Sequence, residues 1–155
     1  MAALRWASDR LFDRVPSSSA AGATERLAAL LDLAIPYSEP KARRDEYVLW
    51  IEMWALVLRS PDRLPALEDL SERWRSLFFD VVRDGAASGH FAPVAGIDVV
   101  TPRLIAVVDG LGFETVVGYR WSTPQRMRTL LVGFAAEQLR VDTERLDALM
   151  TADRR

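Results

Sequence analysis

Apolar residues recur at three- and four-residue steps along most of the chain, which is the period of an α-helix. They predict helices over residues 3–15, 24–36 and 38–59, from 60 to the glycine-rich segment 85–89, and over 98–117 and 122–139, followed by a last amphipathic turn over 143–150. Sustained alternation of polar and apolar residues, which would indicate half-buried strands, is missing. The sequence therefore predicts an all-α fold, with residues 1–155 forming a single helical-bundle domain of about six helices.

Residues that favour helix ends support several of these boundaries. Thr24 is the expected N-cap of the segment 24–36. Ser60 followed by Pro61 predicts a helix with proline at its first position. The glycine-rich segment 85–89 predicts the end of that helix.

Composition removes several classes of function. The chain has no cysteine and one histidine, so disulfides, thiolate nucleophiles and zinc-thiolate sites are excluded and a metal site is not expected. A net charge of −2 provides no general attraction for nucleic-acid backbones. The longest apolar runs are far shorter than a membrane helix needs, and charges interrupt the N-terminus where a secretory signal would be apolar. We therefore expect a water-soluble, cytoplasmic protein.

Known catalytic patterns are also missing. The sequence contains no Gly-x-Ser-x-Gly, no P-loop, no Rossmann glycine pattern and no His-Glu-x-x-His. We expect neither catalytic residues nor a cofactor.

A family resemblance rests on motifs in a consistent order and spacing. They are Trp-Ile-Glu-Met-Trp at 50–54, the long helix through 74–82, Gly-His-Phe at 89–91, the aspartate at 98, and Ala-Val-Val-Asp-Gly-Leu at 106–111. On these the chain resembles the C-terminal domain of TetR-family transcriptional regulators, in the branch typified by the choline-responsive repressor BetI. The resemblance implies an effector-binding and dimerisation domain, with residues 1–16 as the helix that connects it to a DNA-reading head. The helix-turn-helix head has no counterpart in these residues, so we expect DNA contact only through a head that this chain does not supply.

A cluster of large side chains falls on two neighbouring helices. Trp50, Met53 and Trp54 lie on one, and Trp74 and Phe78 lie on the next. Aromatic faces attract cations and methionine adapts to irregular shapes, so the cluster can line a pocket for an apolar or cationic ligand. A tightly packed core is the alternative that the sequence leaves open.

Two acidic residues are candidates for an anionic group in such a pocket. Between residues 47 and 58 the helix is apolar almost all round, interrupted only by Glu52, which predicts burial on several sides at the centre of the domain. Glu52 recurs with Asp45 and Arg59 at seven-residue steps, which favours a solvent-facing polar edge. Asp109, in the middle of a helix, either caps a neighbouring element or reaches the pocket, and we include it among the candidate ligand-binding residues.

The helices over 98–117 and 122–139 carry apolar residues on more than one face, too many for helices on the surface of a monomer. The periodicity predicts a partner for the second face. The family resemblance implies that this partner is a second copy, in a four-helix bundle. The candidate dimer-interface residues are Val108, Leu111, Gly112, Met127, Leu130, Leu131 and Phe134.

These features predict the effector-sensing and homodimerisation domain of a TetR-like repressor, binding an apolar or cationic small molecule. A stand-alone helical carrier or inhibitor of a hydrophobic small molecule, without a DNA role, is the main alternative. A small helical enzyme is a third.

Overall fold

Six α-helices and one short 3-10 helix make up the regular structure of the described residues. The computed structural model describes residues 15–16, 21–37 and 41–152, so the helix expected over 3–15 lies outside the described residues. The helices are α1 (Ala23–Leu33), α2 (Lys41–Arg59), α3 (Leu64–Ala87), α4 (Ile97–Val117), α5 (Pro124–Leu139) and α6 (Thr143–Ala152), with the 3-10 helix Pro61–Arg63 between α2 and α3. The predicted all-α fold is confirmed. Within the described part of the chain, no helix is long and apolar enough to cross a membrane.

Two predicted helix starts are wrong by one turn or less. Gly22, in an extended conformation, is the N-cap of α1, and Thr24 is already helical and buried. Pro61 opens the 3-10 helix, and the α-helical bonds of α3 begin at Leu64. Proline suits both kinds of helix start because its missing N–H would have no partner in a first turn.

Helix α3 ends within the glycine-rich segment 85–89, as predicted, although Gly85 itself is helical and buried. A Cβ atom at Gly85 would overlap the ring of Phe91. Phe91 folds back onto the helix, where its N–H donates to the Gly85 carbonyl at 3.0 Å and its side chain joins the main core. The glycine is therefore required by a close approach.

Helix α1 lies at the centre of the fold and contacts α3, α5 and α6. Of its eleven residues, nine are buried. The prediction that the helix 38–59 occupies the centre is wrong, because Met53 alone among the described side chains of α2 is buried. The apolar side chains of α2 instead pack on a second, smaller cluster around Leu67 and Leu70. The main core includes the fully buried side chains of Leu27, Phe78, Leu104, Met127 and Leu131.

Among the ion pairs of α1, two join it to α3 and to α2. Arg26 Nη1 lies 2.8 Å from Asp84 Oδ2 on α3, and Arg43 Nη1 on α2 lies 2.8 Å from Asp32 Oδ2. The hydrogen bond from Arg26 is the main reason that the pKa of Asp84 lies below its ordinary value. Arg43 also donates to the main-chain oxygen of Asp32 at 2.8 Å, so this pair holds the end of α1 against α2.

Candidate functional site

A cavity of about 200 Å³ lies beside the junction of the two hydrophobic clusters. Ile105 and Trp74 on its wall pack with the main core, whereas Trp50 and Trp54 pack with the second cluster. Leu33, at the end of α1, also contributes to the wall. The aromatic cluster predicted from the sequence therefore borders an open space.

Helix α2 supplies most of this wall. Arg43, Tyr47, Trp50 and Trp54 lie at steps of three and four residues, which places them on one face of the helix, with Glu46 beside them. Sequence reasoning identified the two tryptophans and missed the other three residues. Their same-face spacing from Trp50 is the signal that would have found them.

The structure separates the five large side chains of the predicted cluster into two groups. Trp50, Trp54 and Trp74 line the cavity. Met53 and Phe78 do not: Met53 is buried in the second cluster, and Phe78 is fully buried in the main core. Phe78 supports the wall from behind, with its ring edge-on to Trp74 at a centroid distance of 5.0 Å.

Asp109, on α4, lines the cavity one turn after Ile105. It is partly buried, and this burial raises the pKa of its carboxyl group to about 6. Within the described part of the chain, no arginine or lysine forms an ion pair with it. Ionised at neutral pH, this carboxylate places a negative charge among aromatic side chains, and such perturbed acids mark candidate functional sites.

Glu52, the other acidic candidate, is exposed and does not line the cavity. Asp45 and Arg59 are exposed on the same edge of α2. The interpretation of this edge as solvent-facing is confirmed.

Tyr47 fixes the distance between α2 and α4. Its hydroxyl donates to the main-chain oxygen of Val108 at 3.1 Å, and a Cβ atom at Gly112 would overlap that hydroxyl. Burial of its hydroxyl group, together with the negative charge of Asp109, raises the pKa of Tyr47, which therefore stays neutral and donates. Sequence reasoning assigned Gly112 to the dimer interface, whereas the structure buries it beneath Tyr47.

The two arginines on the cavity wall both have acidic neighbours. Arg43 forms the buried ion pair with Asp32. Arg75 Nε lies 3.6 Å from Glu72 Oε2, and its guanidinium lies over the Phe79 ring at 5.9 Å. Neither of these acidic partners lines the cavity.

The remaining candidate dimer-interface residues lie at different depths. Val108, Met127 and Leu131 are buried in the main core, so their side chains are not available to a second copy. Leu111 and Phe134 are partly buried against that core, and Leu130 is 43% exposed.

An exposed apolar surface nevertheless runs along α4 and α5, which pack against each other. We call it the outer face. Its large side chains are Val99, Phe113, Val117 and Leu130, which are 38 to 51% exposed. Its small residues, Ala106, Gly110 and Gly133, are also exposed. The exposed apolar residues thus lie on the two helices that the sequence predicts for the dimer interface, whereas Val108, Met127 and Leu131 of the predicted set face inward.

The fold and the cavity together form an all-helical domain whose cavity has mostly apolar walls and a few polar groups, which is the usual form of a small-molecule site. The family comparison agrees: a model described as BetI-type transcriptional repressor, C-terminal, matches residues 23–140. The chain thus belongs to the BetI-type C-terminal domains of TetR-family regulators, a family of transcription regulators rather than of enzymes. The resemblance inferred from the sequence is confirmed.

A solved structure is also similar. It is that of a protein from Saccharomonospora viridis, assigned as a transcriptional regulator and crystallised in complex with choline. The two chains are 29% identical, and the match covers 88% of this chain and 68% of that one with a TM-score of 0.76. The comparison with curated proteins gives no match.

Proposed function

We propose that this chain is the effector-sensing and homodimerisation domain of a TetR-like repressor, and that its effector is a small organic cation. The observation that carries the proposal is Asp109, a carboxylate without a basic partner among the described residues, in a cavity lined by Trp50, Trp54 and Trp74. Aromatic faces attract cations by about 0.5 to 2 kcal/mol each, and more strongly when water is excluded. A carboxylate and several tryptophans around one space favour a quaternary ammonium group.

The size of the cavity narrows the class of ligand. At about 200 Å³ it is smaller than the pockets that hold drug-sized molecules, which are roughly 300 to 1,000 Å³. Cavities of roughly 150 Å³ hold benzene. A ligand with about as many heavy atoms as benzene, such as a short alkylammonium alcohol, therefore fits a cavity of this volume.

The similar regulator from Saccharomonospora viridis was solved with choline, which is a quaternary ammonium alcohol of this size class. Its structure supports choline as the first probe for this cavity. The chemistry of the lining supports the same choice independently, because Arg43 and Arg75 on the wall are paired with Asp32 and Glu72, whereas Asp109 has no basic partner among the described residues.

The test compares choline with its neutral isostere, the alcohol in which a carbon atom replaces the quaternary nitrogen. We expect calorimetry to show saturable binding of choline and much weaker binding of the neutral isostere, with a change in tryptophan fluorescence. Asp109→Asn removes the charge with little change of shape and should abolish this preference. Glu52→Gln makes the matched change at an exposed acid on α2 and should preserve it. Equal binding of the two probes by the unaltered protein would contradict a cationic effector.

Dimerisation through the outer face is the second part of the proposal. Exposed apolar stripes on two adjacent helices are typical of surfaces that another chain covers. Pairing α4 and α5 with their twofold copies would bury both stripes in a four-helix bundle. The exposed glycines Gly110 and Gly133 would allow the backbones to approach closely, because a Cβ atom added at either position would meet open space.

Ligand binding would act on DNA through the head that the family resemblance implies. A ligand that binds one domain geometry better than another shifts the population between them. In a dimer this shift would change the separation of the two DNA-reading heads. The two half-sites of the operator DNA that they must match lie roughly 34 to 36 Å apart.

A further inference from the structure

Arg43 is one of the residues that line the cavity, so its positive charge opposes the binding of a cation. An unneutralised positive charge at that position would repel a quaternary ammonium group. A unit charge within roughly 8 Å of another, at the effective dielectric constant of a protein near its surface, changes an equilibrium by tenfold or more. The preference of the cavity for cations therefore depends on what neutralises Arg43.

The two arginines on the cavity wall, Arg43 and Arg75, differ in how strongly solvent screens their charges. The side chains of Arg75 and Glu72 are 44% and 71% exposed, so water and salt screen them. Those of Arg43 and Asp32 are 16% and 5% exposed, so their charges are screened much less. The positive charge of Arg43 therefore acts more strongly inside the cavity than that of Arg75.

Asp32 is the residue that neutralises this charge, and it does so from outside the cavity. It receives Arg43 Nη1 at 2.8 Å on both its carboxylate and its main-chain oxygen, while the guanidinium lies over the Tyr37 ring at 5.4 Å. Asp32 also lines a second cavity, together with Pro16 and Met150. These contacts hold the guanidinium towards α1.

We infer that Asp32 is a positioning residue that sets the cation preference of the ligand cavity by neutralising Arg43 and holding it towards α1. This inference rests on the proposed function, since it concerns the same cavity and the same class of ligand. It assigns a role in ligand selectivity to a residue that does not touch the ligand cavity.

Removing the charge of Asp32 and removing the charge of Arg43 should change the preference for choline in opposite directions. Asp32→Asn removes the carboxylate that pairs with Arg43, so the preference for choline over its neutral isostere should fall by about tenfold. Arg43→Gln removes the repulsive charge and leaves Asp32 negative, so the preference should stay the same or rise. The double variant restores neutrality and should return to within about threefold of the original preference. A purely structural role would instead lower binding of both probes in all three variants.

The experiment measures the dissociation constants of choline and the neutral isostere by calorimetry on the full chain, with circular dichroism to confirm folding. Asp84→Asn is the matched control, because Asp84 pairs with Arg26 of α1, also at 2.8 Å, and does not line the cavity. Should Asp32→Asn fail to fold, Arg43→Gln and the double variant carry the test. A preference lowered by Arg43→Gln would overturn the inference.

The results separate the two proposals. A selective unaltered protein whose Asp32→Asn variant is no less selective than Asp84→Asn overturns the role of Asp32 alone. An unaltered protein that does not distinguish choline from its neutral isostere overturns both.

Discussion

The Tyr47 hydroxyl donates a hydrogen bond of 3.1 Å to the main-chain oxygen of Val108, and this contact joins the helix that carries two of the cavity tryptophans to the helix that carries Asp109. The bond forms at a point where α4 has a glycine, because a side chain at Gly112 would occupy the space of the hydroxyl. The width of the cavity between α2 and α4 therefore depends on a residue with no side chain.

We expect Gly112→Ala to displace Tyr47 and weaken choline binding. Overpacking at such a contact commonly costs about 1 to 3 kcal/mol of unfolding free energy. Calorimetry and urea denaturation measure the two effects. Gly110→Ala is the control for an added methyl group on α4, because Gly110 has open space beside it on the outer face; its effect should fall on association between copies and leave choline binding unchanged. Normal binding by Gly112→Ala would show that Tyr47 does not set the cavity.

Asp109 should make the folded protein less stable at neutral pH than it would be with an uncharged side chain. Its folded pKa of about 6 lies above the ordinary value of 3.8, so the folded state holds this proton more tightly than the unfolded state. The stability that protonation provides is fully present below about pH 4 and is lost as pH rises through 6. Asp109→Asn should therefore be more stable than the unaltered protein above pH 6, by up to roughly 3 kcal/mol.

Chemical denaturation of both proteins from pH 4 to pH 8 tests this expectation. The difference in unfolding free energy should grow between pH 4 and pH 6 and then level off. A difference that does not vary with pH would show that the Asp109 carboxyl group titrates alike in both states.

Choline affinity should depend on the same group. A cation favours the ionised carboxylate, so binding should weaken as pH falls below the pKa of Asp109, which is about 6. At pH 5 the expected loss is about tenfold relative to pH 7.5. Calorimetry at several pH values measures it, and choline itself does not titrate in this range. The neutral isostere should show no such dependence, and a parallel loss for both probes would contradict the role of Asp109.

The outer face gives a prediction about assembly. Leu130→Arg and Phe113→Arg place a charge where a twofold partner would bury it, and an unpaired buried charge costs several kcal/mol. Sedimentation velocity should show a dimer for the unaltered protein and a monomer for either variant. Leu58→Arg is the control, because Leu58 is 85% exposed on α2, away from the outer face. A monomeric unaltered protein at micromolar concentration would contradict the dimer.

Most of the helices were predictable from the sequence, because the signals for a helix are local. The segments predicted over 98–117 and 122–139 correspond to Ile97–Val117 and Pro124–Leu139. At the start of α5, Thr123 Oγ1 accepts the N–H of Arg126 at 3.2 Å, so the boundary is set by residues within one turn. Family membership was accessible for a related reason, since it depends on the order and spacing of motifs along the chain.

The direction in which each helix turns its apolar residues was decided only by the tertiary structure. Leu130 and Leu131 are chemically identical neighbours, yet one is 43% exposed on the outer face and the other is 1% exposed in the core. Adjacent helical residues point about 100° apart, so the rotation of α5 against α4 and α1 determines which of the two is buried. Trp74 and Phe78 differ in the same way: they share a face of α3, but Trp74 borders the cavity whereas Phe78 is fully buried in the main core. Periodicity shows that a face is apolar, whereas the partner that covers it depends on residues distant in the chain, such as Tyr47 and Gly112.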